Sequence, residues 1–282
     1  MPGTEKKKNL PDERYISRFQ EKVLDFYQRN GRHDLLWRKT TDPYHILVSE
    51  IMLQQTQVPR VTVKYPQFIS AFPDVYSLAE SSLAEVLGAW KGMGYNRRAI
   101  ALREIACLVI SRFSGVIPDD ETVLLRFPGI GKATAGSIAA FAFDRPSVFI
   151  ETNIRRVFIH CFFGDQVPVS DSEIRPIVAR TLDQEHPREW YYALMDYGAV
   201  LGRRIPNPNR RSAHYHRQPA FEGSDRQLRG RVLELLLREG TIVQKDLVTH
   251  IGERPERTGE ILLTLIHEGF VTLENDTVRL HN

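Results

Sequence analysis

The sequence predicts an all-α protein with a small helix-and-hairpin module at its C-terminus, and three observations predict it. From Arg14 to about Phe163, apolar residues recur every three or four positions, with Gly and Pro between segments and almost no strand-like alternation. Between Arg203 and Ser224 that periodicity collapses into Arg, Pro, Asn and His. Beyond it lie three amphipathic stretches and one alternating run that turns at Asn275-Asp276.

The elements follow in order. Residues 1–14 are polar and carry Lys6, Lys7 and Lys8 with no apolar stretch behind them, which predicts a solvated tail rather than a secretory leader. Helical spacing then predicts helices over 16–30, 43–57, 58–72, 75–80, 82–91, 95–113, 121–126, 132–143, 153–162, 171–182 and 187–201. Some starts are explicit: Ser81-Ser82 before Leu83-Ala84-Glu85 has the outline of a capping box, and Asp119-Asp120 precede the helix from 121. A helical domain over 15–205 is followed by a linker or irregular arm over 206–224. In 225–282, helices over 226–239, 241–252 and 257–269 precede a hairpin over 270–280, the outline of a winged helix. Such modules bind DNA or mediate protein contacts, and spacing does not choose between these roles.

Composition narrows the partners. With 42% hydrophobic and 26% charged residues over 282 positions, the chain can bury a core in more than one domain. No apolar run approaches the ~20 residues of a membrane span, so an intracellular protein without a membrane partner is expected. Cys107 and Cys161, each between apolar neighbours, read as buried reduced thiols, too few for a disulfide framework or a four-thiolate metal site. The net charge of +3 permits an anionic partner, and the Arg pairs at 97–98, 155–156, 203–204 and 210–211 read as solvated surface unless other features gather them on one face.

Three stretches carry chemistry. In Phe127-Pro-Gly-Ile-Gly-Lys-Ala-Thr-Ala-Gly two glycines, Gly129 and Gly131, separate a short helix from the one starting at Lys132, the signature of a helix-hairpin-helix. Glycines let the backbone approach a phosphate, and the free N–H groups of the following helix start, with Lys132 and Thr134 beside them, favour an anion. Such a hairpin grips a DNA strand without reading its sequence; a tight helix–helix turn would use the same glycines. In the second stretch Glu50 interrupts the apolar face made by Val48, Ile51 and Leu53. An acid there is costly unless it is paired, faces a cleft or is protonated, and partial burial would raise its pKa. A carboxylic acid near neutrality is what protonating a purine nitrogen requires; the alternative is a surface acid at the helix edge. Gln54 and Gln55 at the end of that helix are either solvent-facing amides or residues that enter the DNA stack where a base has been extruded. In the third stretch Glu151 directly precedes a helix starting near Asn153. Helix N–H groups predict a low pKa and a carboxylate that stays ionised. A fixed carboxylate beside a developing sugar oxocarbenium is the electrostatic device of glycoside hydrolases, although a structural helix-start acid would look the same.

These stretches, in this order, resemble the MutY and endonuclease III branch of the helix-hairpin-helix DNA glycosylases over roughly residues 35–204. Leu36-Trp37-Arg38, Ser49-Glu-Ile-Met-Leu-Gln-Gln-Thr-Gln, Gly92-Met93-Gly94-Tyr95 and Met195-Asp196-Tyr197-Gly198-Ala199 are similar to motifs of the MutY-type, adenine-excising enzymes. The resemblance implies a two-lobed helical glycosylase domain with the winged-helix-like domain appended. It implies that Glu50 protonates adenine, that Leu53 and Gln55 contact the opened duplex, that Arg38 and Tyr95 line the base and lesion site, and that Asn153 is an active-site asparagine. The implied partner is double-stranded DNA with a mismatch or damaged base, adenine opposite 8-oxoguanine or guanine foremost, engaged by a nucleoid-associated monomer.

Four departures qualify it. Glu151 stands where the family has an aspartate, and one added methylene moves a carboxylate by about an ångström, a misplacement that can cost on the order of a hundredfold in rate. Ala133 occupies the position of the Schiff-base lysine of endonuclease III, which implies hydrolysis without strand cleavage. Gly202, Asn209, Ser212 and Gln218 fall at the spacing of the cluster cysteines, so no iron-sulfur cofactor and no metal is expected. The segment from Arg226 replaces the family's longer lesion-reading domain. A glycosylase for thymine, uracil or another altered base, and a non-catalytic lesion-binding protein, stay open at this point.

Overall fold

The computed structural model describes residues 11–216 and 220–281. Its helices run in order α1 Glu13–Asn30, α2 Pro43–Leu53, α3 Val58–Ala71, α4 Val75–Glu80, α5 Leu83–Trp90, α6 Arg97–Phe113, α7 Glu121–Leu124, α8 Lys132–Phe143, α9 Thr152–Phe162, α10 Asp171–Thr181, α11 Pro187–Arg204, α12 Asp225–Glu239, α13 Gln244–Ile251 and α14 Pro255–His267. Short 3-10 turns occupy Leu36–Arg38 and Pro208–Arg211, and strands β1 Thr241–Val243, β2 Val271–Glu274 and β3 Thr277–Leu280 complete the chain. The helical expectation holds, and the ends follow the expected caps: Ser82 and Glu85 close a capping box on α5, and Asp120 accepts from the Thr122 amide at the start of α7. Of the polar tail expected over 1–14, residues 1–10 lie outside the described residues, and Asp12 already caps α1.

The elements fall into two compact units. The first is drawn from Met1–Pro43, Asp119–Leu125 and Gly131–Arg217, the second from Tyr44–Pro118, Arg126–Ile130 and Gln218–Asn282. In the first unit Phe19 of α1 meets Phe158 and Phe162 of α9 and Trp190 of α11 edge-on, with ring centroids 5.6, 4.9 and 5.9 Å apart. Helix α8 is buried along its whole length from Ala135 to Ala142, and its small residues permit close packing: a Cβ on Gly136 would stand 2.7 Å from that of Phe149.

A buried ion cluster closes this unit. Asp196 of α11 accepts from Arg38 at 2.8 and 2.9 Å and from the backbone and side chain of Arg32 at 2.7 and 2.6 Å. The Asp196 and Arg38 side chains are 2% and 5% exposed, and the Arg38 guanidinium lies 4.4 Å over the Tyr192 ring. Burial alone would raise the Asp196 carboxyl, but the bonds and charges of Arg38 and Arg32 carry it below the usual carboxylate range. Asp196→Ala leaves the Arg38 cation buried without its counter-charge and is expected to cost about 3–5 kcal/mol in urea unfolding; a loss below about 1 kcal/mol would mean the cluster is dispensable.

In the second unit α2 is almost wholly buried: Tyr44, Ile46, Leu47, Val48, Ser49, Ile51 and Met52 all face the interior. The helix expected over 43–57 stops at Leu53, and the stop has an identifiable cause. Arg98 of α6, expected on the surface with its neighbour Arg97, is instead 8% exposed. Its Nη1 donates to the carbonyls of Ile51, Met52 and Gln54 at 3.0, 2.9 and 2.5 Å, and its Nη2 to Thr56 Oγ1 at 2.9 Å and to the carbonyls of Met93 and Gly94 at 3.3 and 3.1 Å. One guanidinium thus satisfies the orphan carbonyls of a helix end and braces the following loop. Burial pulls Arg98 down to about 10, so it stays charged at neutral pH.

The C-terminal residues give three helices and a sheet of order β1-β3-β2. The hairpin turn sits where expected, with Asn275 and Asp276 both at positive φ, as a two-residue hairpin turn requires. The expected helix over 241–252 is corrected: Thr241, Ile242 and Val243, three β-branched residues after Gly240, pair antiparallel with Arg279, Val278 and Thr277, and the helix begins only at Gln244. The reading of both cysteines as buried is also corrected. Cys107 is exposed, on the outer face of α6 while Ala106 and Val109 point inward, and Cys161 is partly buried, its thiol pushed up to about 11 by burial. Within the arm expected over 206–224, Asn209 and Ser212 are buried, and Val169 and residues 211–213 exchange backbone hydrogen bonds. No helix among the described residues is long and apolar enough to cross a membrane.

Candidate active site and nucleic-acid interface

Glu50 lies in the second unit, near the end of α2. Val48, Ser49, Ile51 and Met52 around it are at most 1% exposed, whereas Glu50 itself retains partial access to solvent. It is the one acidic residue of this helix, held on rigid backbone. Leu53 ends the helix half-buried, and Gln55 follows exposed, in a left-handed conformation at φ +52°. Gln54 donates its side-chain amide to the carbonyl of Gly129 at 3.1 Å, which ties the end of α2 to the hairpin.

That hairpin has the geometry its glycines predict. Gly129 has φ +74°, a conformation that only glycine adopts without strain, and a Cβ there would also press to 3.3 Å on Ala101. Ile130 is buried between two exposed glycines, so the backbone at 129 and 131 faces outward. Gly131 is the N-cap of α8 and no side chain caps the helix start; Lys132 beside it is exposed and Thr134 half-buried. An uncapped helix start next to a lysine suits a phosphate oxygen.

Glu151 lies in the first unit as the N-cap of α9. Its Oε1 accepts from the amides of Asn153 and Ile154 at 2.6 and 2.8 Å, and its Oε2 from Asn153 Nδ2 at 3.3 Å. Asn153 is held in turn by Arg156, whose Nη1 donates to Asn153 Oδ1 and to the Gly198 carbonyl, both at 2.8 Å. Gly198 is required here, because a Cβ would stand 2.4 Å from the Asn153 carbonyl. The expected low pKa of Glu151 is corrected. Burial pushes its carboxyl above the usual range, and the amides of Ile154 and Asn153 with the charges of Arg155 and Arg156 pull it back only in part. The helix start does act as anticipated; the desolvation imposed by tertiary packing outweighs it.

Tyr95 stands at φ +48° in the loop between α5 and α6, after Gly92 and Gly94, which also have positive φ. Its side chain is exposed, with the Arg98 guanidinium 5.4 Å and that of Arg226 5.8 Å from its ring. Arg38, expected to line the base and lesion site, is instead enclosed by Asp196 and Tyr192 and acts on packing. Arg98, Asp196, Arg156 and Gly198 were not singled out as site-supporting residues by sequence; an arginine leading into the apolar run from Ala99 to Leu102 was the available signal for the first.

The comparisons with known proteins bear on this arrangement. The HhH-GPD superfamily of base excision DNA repair proteins matches residues 48–181. The adenine DNA glycosylase of Mycobacterium tuberculosis strain CDC 1551 is 35% identical over 256 residues, 84% of this chain and 83% of that protein. The chain belongs to the adenine DNA glycosylase family. The adenine DNA glycosylase of Buchnera aphidicola subsp. Baizongia pistaciae is 34% identical over 187 residues, 65% of this chain, so the match spans about half, 52%, of that relative. The structure of a thermostable thymine-DNA glycosylase shares the fold with TM-score 0.63 at 24% identity, over 70% of this chain and 92% of that one.

For this member of the adenine DNA glycosylase family, the residues at the iron-sulfur positions do not fit a cluster. Asn209 donates its amide to the Thr152 carbonyl at 2.9 Å, Ser212 is buried in the bridge to Val169, and a Cβ on Gly202 would stand 2.6 Å from the Arg156 guanidinium carbon. None of the three carries a thiolate, Gln218 lies outside the described residues, and no group of His, Cys, Asp and Glu suited to a metal occurs among the described residues.

Proposed function

We propose that this glycosylase hydrolyses the bond between adenine and deoxyribose in duplex DNA, with adenine opposite 8-oxoguanine or guanine as substrate, and that it does so as an intracellular monomer without an iron-sulfur cofactor. The observation that carries the reading is the lone acid of α2, Glu50, partly accessible among fully buried neighbours, with Gln54 and Gln55 just past the end of the same helix. Glu50 as a carboxylic acid protonates a ring nitrogen of the flipped base, and the glycosidic electron pair leaves with neutral adenine. The ionised carboxylate of Glu151, oriented by two backbone amides and Asn153, stabilises the positive sugar. Water then adds at C1′ and gives up a proton, leaving an abasic site. Ala133 supplies no amine, so the sugar is not captured covalently there. The hairpin at Gly129 and Gly131 anchors the strand.

Single-turnover assays on duplexes containing A:8-oxoguanine, A:G, A:T, T:G and U:G test this. Release from the first two is expected, with the strand intact until alkali is added and with iron-free enzyme as active as the untreated protein. Preferred release of thymine or uracil, or none from any duplex, would refute the assignment.

A further inference from the structure

The C-terminal module grips the loop between α5 and α6 at three places. Lys91 pairs with Glu234 of α12 at 2.6 Å. Arg226 of α12 donates from Nη1 to the Tyr95 hydroxyl at 2.8 Å. Arg97 approaches Glu268, just past α14, at 3.7 Å, and Arg229 of α12 binds the same carboxylate. All these residues belong to the second unit. Bulky residues at positive φ are uncommon and persist where surroundings hold them; at Tyr95 the surroundings are Arg98, reaching the carbonyl of the preceding Gly94, and Arg226, reaching the hydroxyl. The result is an exposed phenol ring held from below by the buried Arg98 and flanked by the partly exposed Arg226, a platform on which a nucleobase stacks with one cation beside it for phosphate.

The module is poorly furnished to read DNA by itself. Helix α14, the third helix of its three-helix array, presents Glu256, Glu260 and Leu263, which is 67% exposed, while its Arg257 is engaged by Asp225 and Glu253. Arg231 is turned onto the Ile251 carbonyl. On α14 itself, exposed acids and an engaged arginine oppose insertion of this helix into a groove. The one arginine of α12 aimed at an exposed aromatic is Arg226.

We infer that Arg226 is a positioning residue for duplex engagement: it fixes Tyr95 for stacking on DNA, and through it the C-terminal module sets the affinity for the mismatched duplex. This rests on the glycosylase reading above. Equilibrium binding and single-turnover excision with the A:8-oxoguanine duplex, on the full chain, test it. Arg226→Ala is expected to raise Kd about tenfold, a typical share of one base stack, with the loss falling on Kd rather than on the rate at saturating enzyme. Tyr95→Phe keeps the ring but removes the accepting hydroxyl; it is expected to produce a similar loss, and the double variant no more than either alone. Arg226→Lys, which can still donate, is expected to recover part of the affinity. Unchanged or tighter binding by Arg226→Ala, or additive losses in the double variant, overturns the inference. Should the unaltered protein neither bind nor process the duplex, the glycosylase reading itself fails, a result separable from equal behaviour of active wild type and variants.

Discussion

Glu50→Gln is expected to eliminate adenine release while leaving duplex affinity intact. Glutamine matches glutamate in shape, and Glu50 stands on a helix whose other side chains are locked into the interior, so α2 should keep its place. The amide cannot donate the proton the leaving base needs, and loss of a positioned general acid costs typically 10²–10⁴-fold, about 3–5 kcal/mol of barrier. Single-turnover rates with the A:8-oxoguanine duplex, set against Kd for the same duplex, read the two effects separately. Excision that persists at a comparable rate removes Glu50 from the chemistry.

Glu151→Gln is expected to be nearly as damaging, on the order of 10²–10³-fold, the usual loss when an electrostatic partner of the transition state is removed. The carboxamide oxygen can still accept from the amides of Asn153 and Ile154, so α9 keeps its cap and thermal stability should change little. A silent but normally folded variant therefore assigns the charge to catalysis, and an unchanged rate makes it structural. The wild-type pH profile gives a second reading. Because burial raises the Glu151 carboxyl, its ionised fraction falls, as pH drops, before that of an ordinary glutamate would. The acid limb of the excision rate should accordingly lie above the ordinary glutamate range. A rate that stays flat down to that range would show that the ionised form is not needed.

What was legible in the sequence was what leaves a local mark. Gly129 answers a backbone demand that only glycine meets cheaply, and Glu50 is an acid inside an apolar helix; both are visible within ten residues. Helix starts at Ser82 and Asp120 are equally local. Interactions between distant stretches left no such mark. Nothing near Asp196 announces Arg38, 158 positions earlier, and nothing near Tyr95 announces Arg226, 131 positions later. The raised pKa of Glu151 is hidden from the sequence for the same reason: its cap is set by neighbours in sequence, its desolvation by tertiary burial. Strand β1 escaped because three residues are too few to display alternation.

Arg98 joins the exit of α2 to the tyrosine-bearing loop through a single planar group. Gln54 and Gln55 on one side and Tyr95 on the other are therefore not independent fingers but parts of one stiff jaw. In the proposed mode of engagement a jaw braced in this way yields little, and the bending and unstacking needed for base extrusion would fall on the nucleic acid. Poorly stacked mispairs deform more cheaply than intact pairs, so under the proposed function rigidity of this kind would favour damage before any base edge is touched.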